Sequence, residues 1–284
     1  MPRSAWSVLI GAGDIGRCGT SGAAATAALV DSVLRADSAA NIDGHVFTLG
    51  DNAYPDGSDR DFARCFAPTW GDSAKAIMRH IRPAPGNHDR PFEATAPYYR
   101  YFGSRAGPAG QGFYSYDVGA WHIIVLNSDV VVNGAYGDAR RKAQEDWLRQ
   151  DVSSSRRKCT LAYWNHPRFT SGRHGDEPRL ASLWQILYDG GADVILSGHD
   201  HDYERFLPQS PGGAVDSATG ITEFVVGTGG GDLRGFRSAL APHSAYHLQG
   251  RYGVLKLMLG AAEYRFAFLD VDHTVWDAGE GRCH

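Results

Sequence analysis

The sequence predicts an α/β fold of two packed mixed β-sheets flanked by helices. Three observations carry this. Short apolar runs such as Val8-Leu9-Ile10, Val46-Phe47-Thr48-Leu49 and Val194-Ile195-Leu196 read as buried strands. In the first part of the chain these runs alternate with helical patterns, which favours parallel pairs joined by right-handed crossovers. Beyond residue 200 strand signals follow one another with turns between, which favours antiparallel pairing.

The elements follow in order. Residues 6–13 and 44–49 read as strands joined by an alanine-rich helix near 22–35. Thr20 and Ser21 are good start residues for that helix, and Leu29 and Val33 give it an apolar face. Ile81 to Pro85 reads as a third strand. The runs 113–118 and 121–127 flank Gly119-Ala120, a hairpin signal. Asp138 suits the cap of a helix over 139–151, whose Ala143, Trp147 and Asp151/Val152 spacing leaves a thin apolar stripe. Leu161 to Trp164 reads as a strand. A helix is predicted over 178–188, with Pro178 in its first turn and Gly190-Gly191 ending it. Strands then fall at 194–196, 221–226, 252–259 and 263–270. Residues 52–60, 102–112 and 227–250 read as loops, and loops of this length are often functional.

At 284 residues the chain is long enough to bury a large core, roughly 75% of the unfolded chain's surface. No linker, charge block or internal repeat divides it, so one domain over 1–284 is expected. The net charge of −4 and scattered arginines give no basic platform for nucleic acid. No apolar stretch approaches the ~20 residues of a membrane span. Met1 to Trp6 lacks the features of a signal peptide. Cys18, Cys65, Cys159 and Cys283 show no CxxC spacing. An even count allows two disulfides in three connectivities, and four buried thiols are the alternative. Bridges would imply a secreted or periplasmic protein whose export signal is absent from this chain; thiols would suit the cytoplasm.

Gly11-Ala12-Gly13-Asp14-Ile15-Gly16 satisfies GxGxxG between a strand and a helix. A dinucleotide reading fails on chemistry. Asp14 would set a negative charge where the pyrophosphate approaches the helix start. The acidic residue expected about twenty positions on is also absent, since the second strand ends well beyond that spacing, in Gly50-Asp51-Asn52. Gly227-Thr228-Gly229-Gly230-Gly231 lacks the Gly-Lys-Ser/Thr of a P-loop and reads as a turn.

The ends of the apolar runs carry the chemistry. They open into Gly13-Asp14-Ile15-Gly16, Gly50-Asp51-Asn52-Ala53-Tyr54, Gly86-Asn87-His88-Asp89, Asn165-His166-Pro167 and Gly198-His199-Asp200-His201. In an open α/β sheet, loops at the carboxyl ends of strands converge on one crevice. Asp14, Asp51, Tyr54, Asn87, His166, His199 and His201 would deliver two carboxylates, a phenol, an amide oxygen and three imidazoles there. That is enough for two metal ions, the usual machinery for hydrolysing phosphate esters.

Five motifs in this order resemble the calcineurin-like metallophosphoesterases, and within them the purple acid phosphatase branch. The resemblance spans residues 11 to 201. Gly16 stands where many relatives have a histidine, and Tyr54, three residues after Asp51, would supply the missing ligand. In the fourth motif, relatives often carry a valine two or three positions before the histidine, where this chain has Tyr163 and Trp164. The resemblance implies Asp14, Tyr54 and His201 on one metal, Asn87, His166 and His199 on the other, and Asp51 bridging both. A phenolate suits Fe(III), with Fe(II), Zn(II) or Mn(II) opposite. It further implies phosphomonoester hydrolysis by direct attack of a metal-bound hydroxide. Asn87 and His88 would contact substrate, with His88 also a proton donor. His174 matches a second family histidine near the leaving group, although a solvated loop histidine reads nearly as well. A phosphodiesterase or nucleotide hydrolase on the same site, and a non-catalytic metal-binding protein, are the alternatives. The expected partner is a small phosphorylated substrate; oligomeric state is not written in the sequence.

Overall fold

Ser7–Ala12 (β1), Asp43–Leu49 (β2) and Ile81–Ala84 (β3) lie side by side and parallel, the α1 helix Gly22–Ala39 crossing between the first two. The computed structural model describes residues 5–91, 93–134 and 137–284; part of the Met1 to Trp6 segment read for a leader therefore lies outside the described residues. Gly253–Leu259 (β11), Glu263–Asp270 (β12) and Val275–Arg282 (β13) extend this sheet antiparallel, in the order β13-β12-β11-β1-β2-β3. The second sheet contains Tyr114–Val118 (β4), Trp121–Val125 (β5), Cys159–Tyr163 (β6), Val194–Ser197 (β7), Tyr203–Phe206 (β8), Thr222–Val226 (β9) and Ser244–Leu248 (β10). Its order is β10-β8-β9-β7-β6-β5-β4, with β5, β6, β7 and β9 parallel. The expected pair of mixed sheets is what forms.

Side-chain alternation explains why the second sheet is covered on both faces. Ile123, Val125, Leu161, Tyr163, Val194 and Leu196 join the same core cluster as Val8, Ile10 and Val46. Their neighbours Ile124, Ala162, Ile195 and Val225 pack instead with Leu148, Leu183, Trp184 and Leu187 of the Gly137–Ser154 and Ala181–Asp189 helices. With period two along each strand, one face meets the other sheet and the next meets helices. Burying a side chain of this size contributes about 1.5–3 kcal/mol, so reversing the register of any one strand would be costly.

Several expectations need correction. α1 runs four residues past its predicted end. Ser21 occupies its cap position without a side-chain bond, while Thr20 donates its hydroxyl to Gly230 O at 2.6 Å. The Gly137–Ser154 helix starts before the expected residue 139, which puts Asp138 in its first turn. It buries Gln144 and Leu148 and leaves Ala143 exposed. Gln144 wins that face because its amide closes both backbone groups of Asn127, at 2.8 and 3.1 Å. The predicted loop 227–250 contains β10, and β8 and β13 were not anticipated at all. These strands are mixed in polarity: SAYHL, YERF and VWDAGEGR carry weak apolar signals and are recruited by pairing partners. The stretches 52–60 and 102–112 also hold helical turns, Asp59–Asp61 followed by a π-helix at Phe62–Phe66, and a 3-10 turn at Gly103–Ala106.

The four cysteines form two disulfides, Cys18–Cys65 and Cys159–Cys283. The first ties the loop after β1 to the π-helix; the second ties the start of β6 to the end of the chain. No described helix is long and apolar enough to cross a membrane.

Candidate metal centre

Both sheets empty their parallel strands at one place. β1 leads to Asp14, β2 to Asp51 and Tyr54, β3 to Asn87 and His88, β6 to His166, and β7 to His199 and His201. Three of these residues, Asp14, Asp51 and His199, hold positive φ of 59°, 50° and 69°. Non-glycine residues adopt that region rarely and at a cost, and such backbones cluster at functional sites. Close approach is enforced by glycine: a Cβ on Gly86 would lie 2.2 Å from Asp51 Oδ1, and one on Gly198 2.8 Å from Asp14 Oδ2.

Tyr54 sits at the middle of an oxygen-rich cluster. Its hydroxyl donates to Asp14 Oδ1 at 2.7 Å and lies 3.2 Å from both Asp51 Oδ2 and His201 Nε2. His201 Nε2 is 3.2 Å from Asp14 Oδ1. Its other nitrogen donates to Asp232 O at 2.5 Å, which fixes the ring with Nε2 turned toward Asp14; burial lowers the His201 pKa, but the charge and bond of Asp14 outweigh it and raise it. Asp14, Asp51, Tyr54 and His201 are all buried.

Across from it stands an imidazole cluster. The His166 and His199 rings are 4.2 Å apart, and His174 packs on His199 at 4.1 Å. Ser128 Oγ holds His166 Nδ1 at 2.9 Å and accepts the His166 backbone N–H at 3.0 Å, so Nε2 is the free nitrogen. Asn87 Oδ1 is buried and has no hydrogen-bond partner. A buried amide oxygen left bare costs free energy, and a cation would satisfy it.

The two clusters are linked through Asp14, whose Oδ2 accepts the His199 backbone N–H at 2.7 Å, while His88 joins the oxygen side through Asp51. The His88 N–H donates to Asp51 Oδ1 at 2.8 Å. Its Nδ1 lies 2.6 Å from Pro55 O, a pure acceptor, so Nδ1 carries hydrogen. Nε2 is then the open face, 3.9 Å from Asp51 Oδ2. His174 is arranged similarly. Nδ1 donates to the buried Asp200 Oδ1 at 2.7 Å, and Arg234 donates to Nε2 at 3.2 Å.

Electrostatics show what the site lacks. Burial, then the charges of Asp14 and Asp89, push the Asp51 carboxyl well above the usual range. Burial and both carboxylates do the same to Tyr54. For Asp14 burial is the largest effect and opposes ionisation, but His201 and the bonds from His201 and Tyr54 together outweigh it and hold the group at about 2. Burial and the neighbouring imidazoles push His166 down to about 3 and His199 well below the normal value. Crowded buried carboxylates beside neutral imidazoles with inward lone pairs form a donor set that fits metal ions. Another group, Cys159, Asp193 and Cys283 within 4.8 Å, lies elsewhere, but its two sulfurs are joined and offer no thiolate.

All seven expected ligands, with His88 and His174, therefore lie around this one place. Sequence reasoning missed the residues that hold them. Ser128 also follows an apolar run, so a signal existed. Asp89 and Asp200 stand inside the quoted motifs: Asp89 accepts from Asn52 and Gly86 and pins two ligand loops together. The glycine run after β9, read as a mere turn, packs against the site. Gly229 N and Gly231 N donate to Gly13 O and Asp14 O at 2.9 and 2.6 Å. A Cβ on Gly231 would strike His201 at 2.9 Å.

The calcineurin-like phosphoesterase family model matches residues 9–203. Human acid phosphatase type 7 is 28% identical over 202 residues, 62% of this chain and 43% of that one. Purple acid phosphatase 15 of Arabidopsis thaliana is 27% identical over 134 residues, 42% of this chain and 24% of that one. The matched stretches thus span less than half of these relatives' length. Among solved structures, a yellow lupin purple acid phosphatase superposes with a TM-score of 0.78 at 18% identity, covering 98% of this chain and 54% of that one. GAP50, the anchor in the inner membrane complex of Plasmodium, superposes at 0.77 with 14% identity, covering 98% and 89%. With a family model matched from β1 to β8 and purple acid phosphatases recurring among its relatives, the chain belongs to the calcineurin-like phosphoesterase family and is purple acid phosphatase-like.

Proposed function

We propose that residues 1–284 are one metallophosphoesterase domain that hydrolyses phosphomonoesters on a two-metal centre. The observation that carries this is the convergence of the loops after β1, β2 and β7 on Tyr54, whose hydroxyl lies within 3.2 Å of Asp14, Asp51 and His201. Asp14, Tyr54 and His201 would hold one ion, Asn87, His166 and His199 the other, with Asp51 between. Hard oxygen donors favour Fe(III) at the Tyr54 half; imidazoles and an amide favour Fe(II), Zn(II) or Mn(II) at the other. When bound, the ions supply Lewis acidity and a nucleophile from water at working pH.

The chain's own residues do the rest. Asn87 and His88 reach the substrate phosphate from the β3 loop. His88 presents Nε2 to the substrate because Pro55 O holds its other nitrogen, and it serves to pass a proton to the leaving oxygen. His174, steadied by Asp200 and Arg234, flanks the same oxygen from the imidazole side. Two disulfides support a secreted or periplasmic location.

The test is hydrolysis of 4-nitrophenyl phosphate and bis(4-nitrophenyl) phosphate by metal-loaded and metal-stripped protein. Metal-dependent turnover favouring the monoester is expected. Preference for the diester would move the reading to a phosphodiesterase or nucleotide hydrolase. Turnover of neither ester would move the reading to a non-catalytic metal-binding protein. For iron, a visible phenolate-to-metal band lost in Tyr54→Phe is expected; active, colourless protein holding only zinc or manganese would refute it.

A further inference from the structure

A cleft of about 570 Å3 opens beside Tyr54, outside the ligand cluster. Its walls include Arg17, the Cys18–Cys65 disulfide, Arg60 and Arg64. Arg17 is already engaged, pairing with Asp232 at 2.7 Å and lying 5.9 Å from the centre of the Tyr54 ring. Arg60 and Arg64 are different. They stand four residues apart on the continuous helical stretch 59–66, both exposed.

Neighbouring arginines have carboxylate partners: Arg90 pairs with Asp56, and Arg100 with Asp59. Arg60 and Arg64 have none among the described residues. Asp56 and Asp61 also line the cleft, but Asp56 is taken by Arg90 and Asp61 is turned onto Ser58, accepting from Oγ at 2.7 Å and N at 3.2 Å. Two unpaired guanidinium forks at a cleft that shares the Tyr54 wall are suited to a second anion.

We propose that this cleft binds the alcohol part of the substrate and selects phosphate monoesters that carry a second anionic group, held by Arg60 and Arg64. This rests on the hydrolase reading and extends it to a substrate class. The disulfide keeps the wall that bears Arg64 fixed against the loop that bears Asp14, so the distance between the two anion sites is set by the fold.

The test compares 1,6-hexanediol bisphosphate with hexyl phosphate, whose shared flexible spacer lets a second phosphate reach the cleft. The bisphosphate should be favoured in kcat/KM by about tenfold, mostly through KM and well beyond the about twofold its two equivalent ends supply. Raising salt should erode the advantage. In Arg60→Gln/Arg64→Gln the ratio should fall to about two, while hexyl phosphate turns over as in the native protein, which also reports correct folding. A native ratio near two, or an unchanged ratio in the double variant, overturns the proposal. If the native metal-loaded protein cleaves neither ester, the hydrolase reading fails by itself. Calorimetric titration with the bisphosphate then decides the cleft: binding weakened in the double variant sustains it, and binding equal or absent in both proteins overturns it.

Discussion

The two halves of the centre are built from opposite kinds of donor. Around Tyr54 the groups, His201 apart, are oxygens that burial and mutual repulsion keep from ionising together: Asp51 and Tyr54 are pushed up while Asp14 stays ionised. Around His199 the groups are imidazoles that burial keeps neutral. Both halves have room for positive charge, but for different reasons. The oxygen half must shed protons to accept an ion, whereas the imidazole half is already deprotonated. On the proposed two-metal reading, one fold would thus prepare two chemically distinct sites, which is what selecting two different metals requires.

Asp51 is where that contrast breaks first. It touches Tyr54 on one side and the His88 backbone on the other. Asp51→Asn should lower kcat/KM by more than about 100-fold, beyond what loss of an outer partner costs, and should lower metal content in elemental analysis. Retained metal with full rate would mean the halves do not share it.

Acid should separate the halves next. With zinc in both, lowering pH returns protons to Asp51 and Tyr54, whose pKa values are raised, so the ion near Tyr54 should leave first. His166 does not compete until the pH falls toward about 3. Metal release followed against pH should therefore show two steps, and loss of both ions together near the usual imidazole pKa would contradict the pattern. His88→Ala should keep both ions and lose about 100-fold in kcat, since only a proton and a substrate contact go; an unchanged kcat would remove its proposed role. Smallest is Ser128→Ala, which frees His166 Nδ1 and should weaken the imidazole-half ion about tenfold in a competition assay while leaving the Tyr54 half untouched.

The residues that gather at the candidate site were legible in the sequence because most follow a strongly apolar strand, where position and chemistry are read together. The parallel strands and the Gly119-Ala120 hairpin were legible for the same reason. What supports the ligands was not. Ser128, Asp200 and Asp232 act through bonds to residues 38, 26 and 31 positions away, so even where position gave a signal, as at Ser128 and Asp200, no local pattern told which histidine each would hold. The strands β8, β10 and β13 were missed for a related cause. Their side chains alternate weakly, and it is the neighbouring strand, not their own composition, that makes them extended.

Anomalous diffraction from crystals of the metal-loaded protein bears most directly on the shared pocket. Two metal peaks are expected, one among Asp14, Tyr54 and His201 and one among Asn87, His166 and His199, with Asp51 reaching both. A single peak, or a second ion away from the imidazoles, would contradict it.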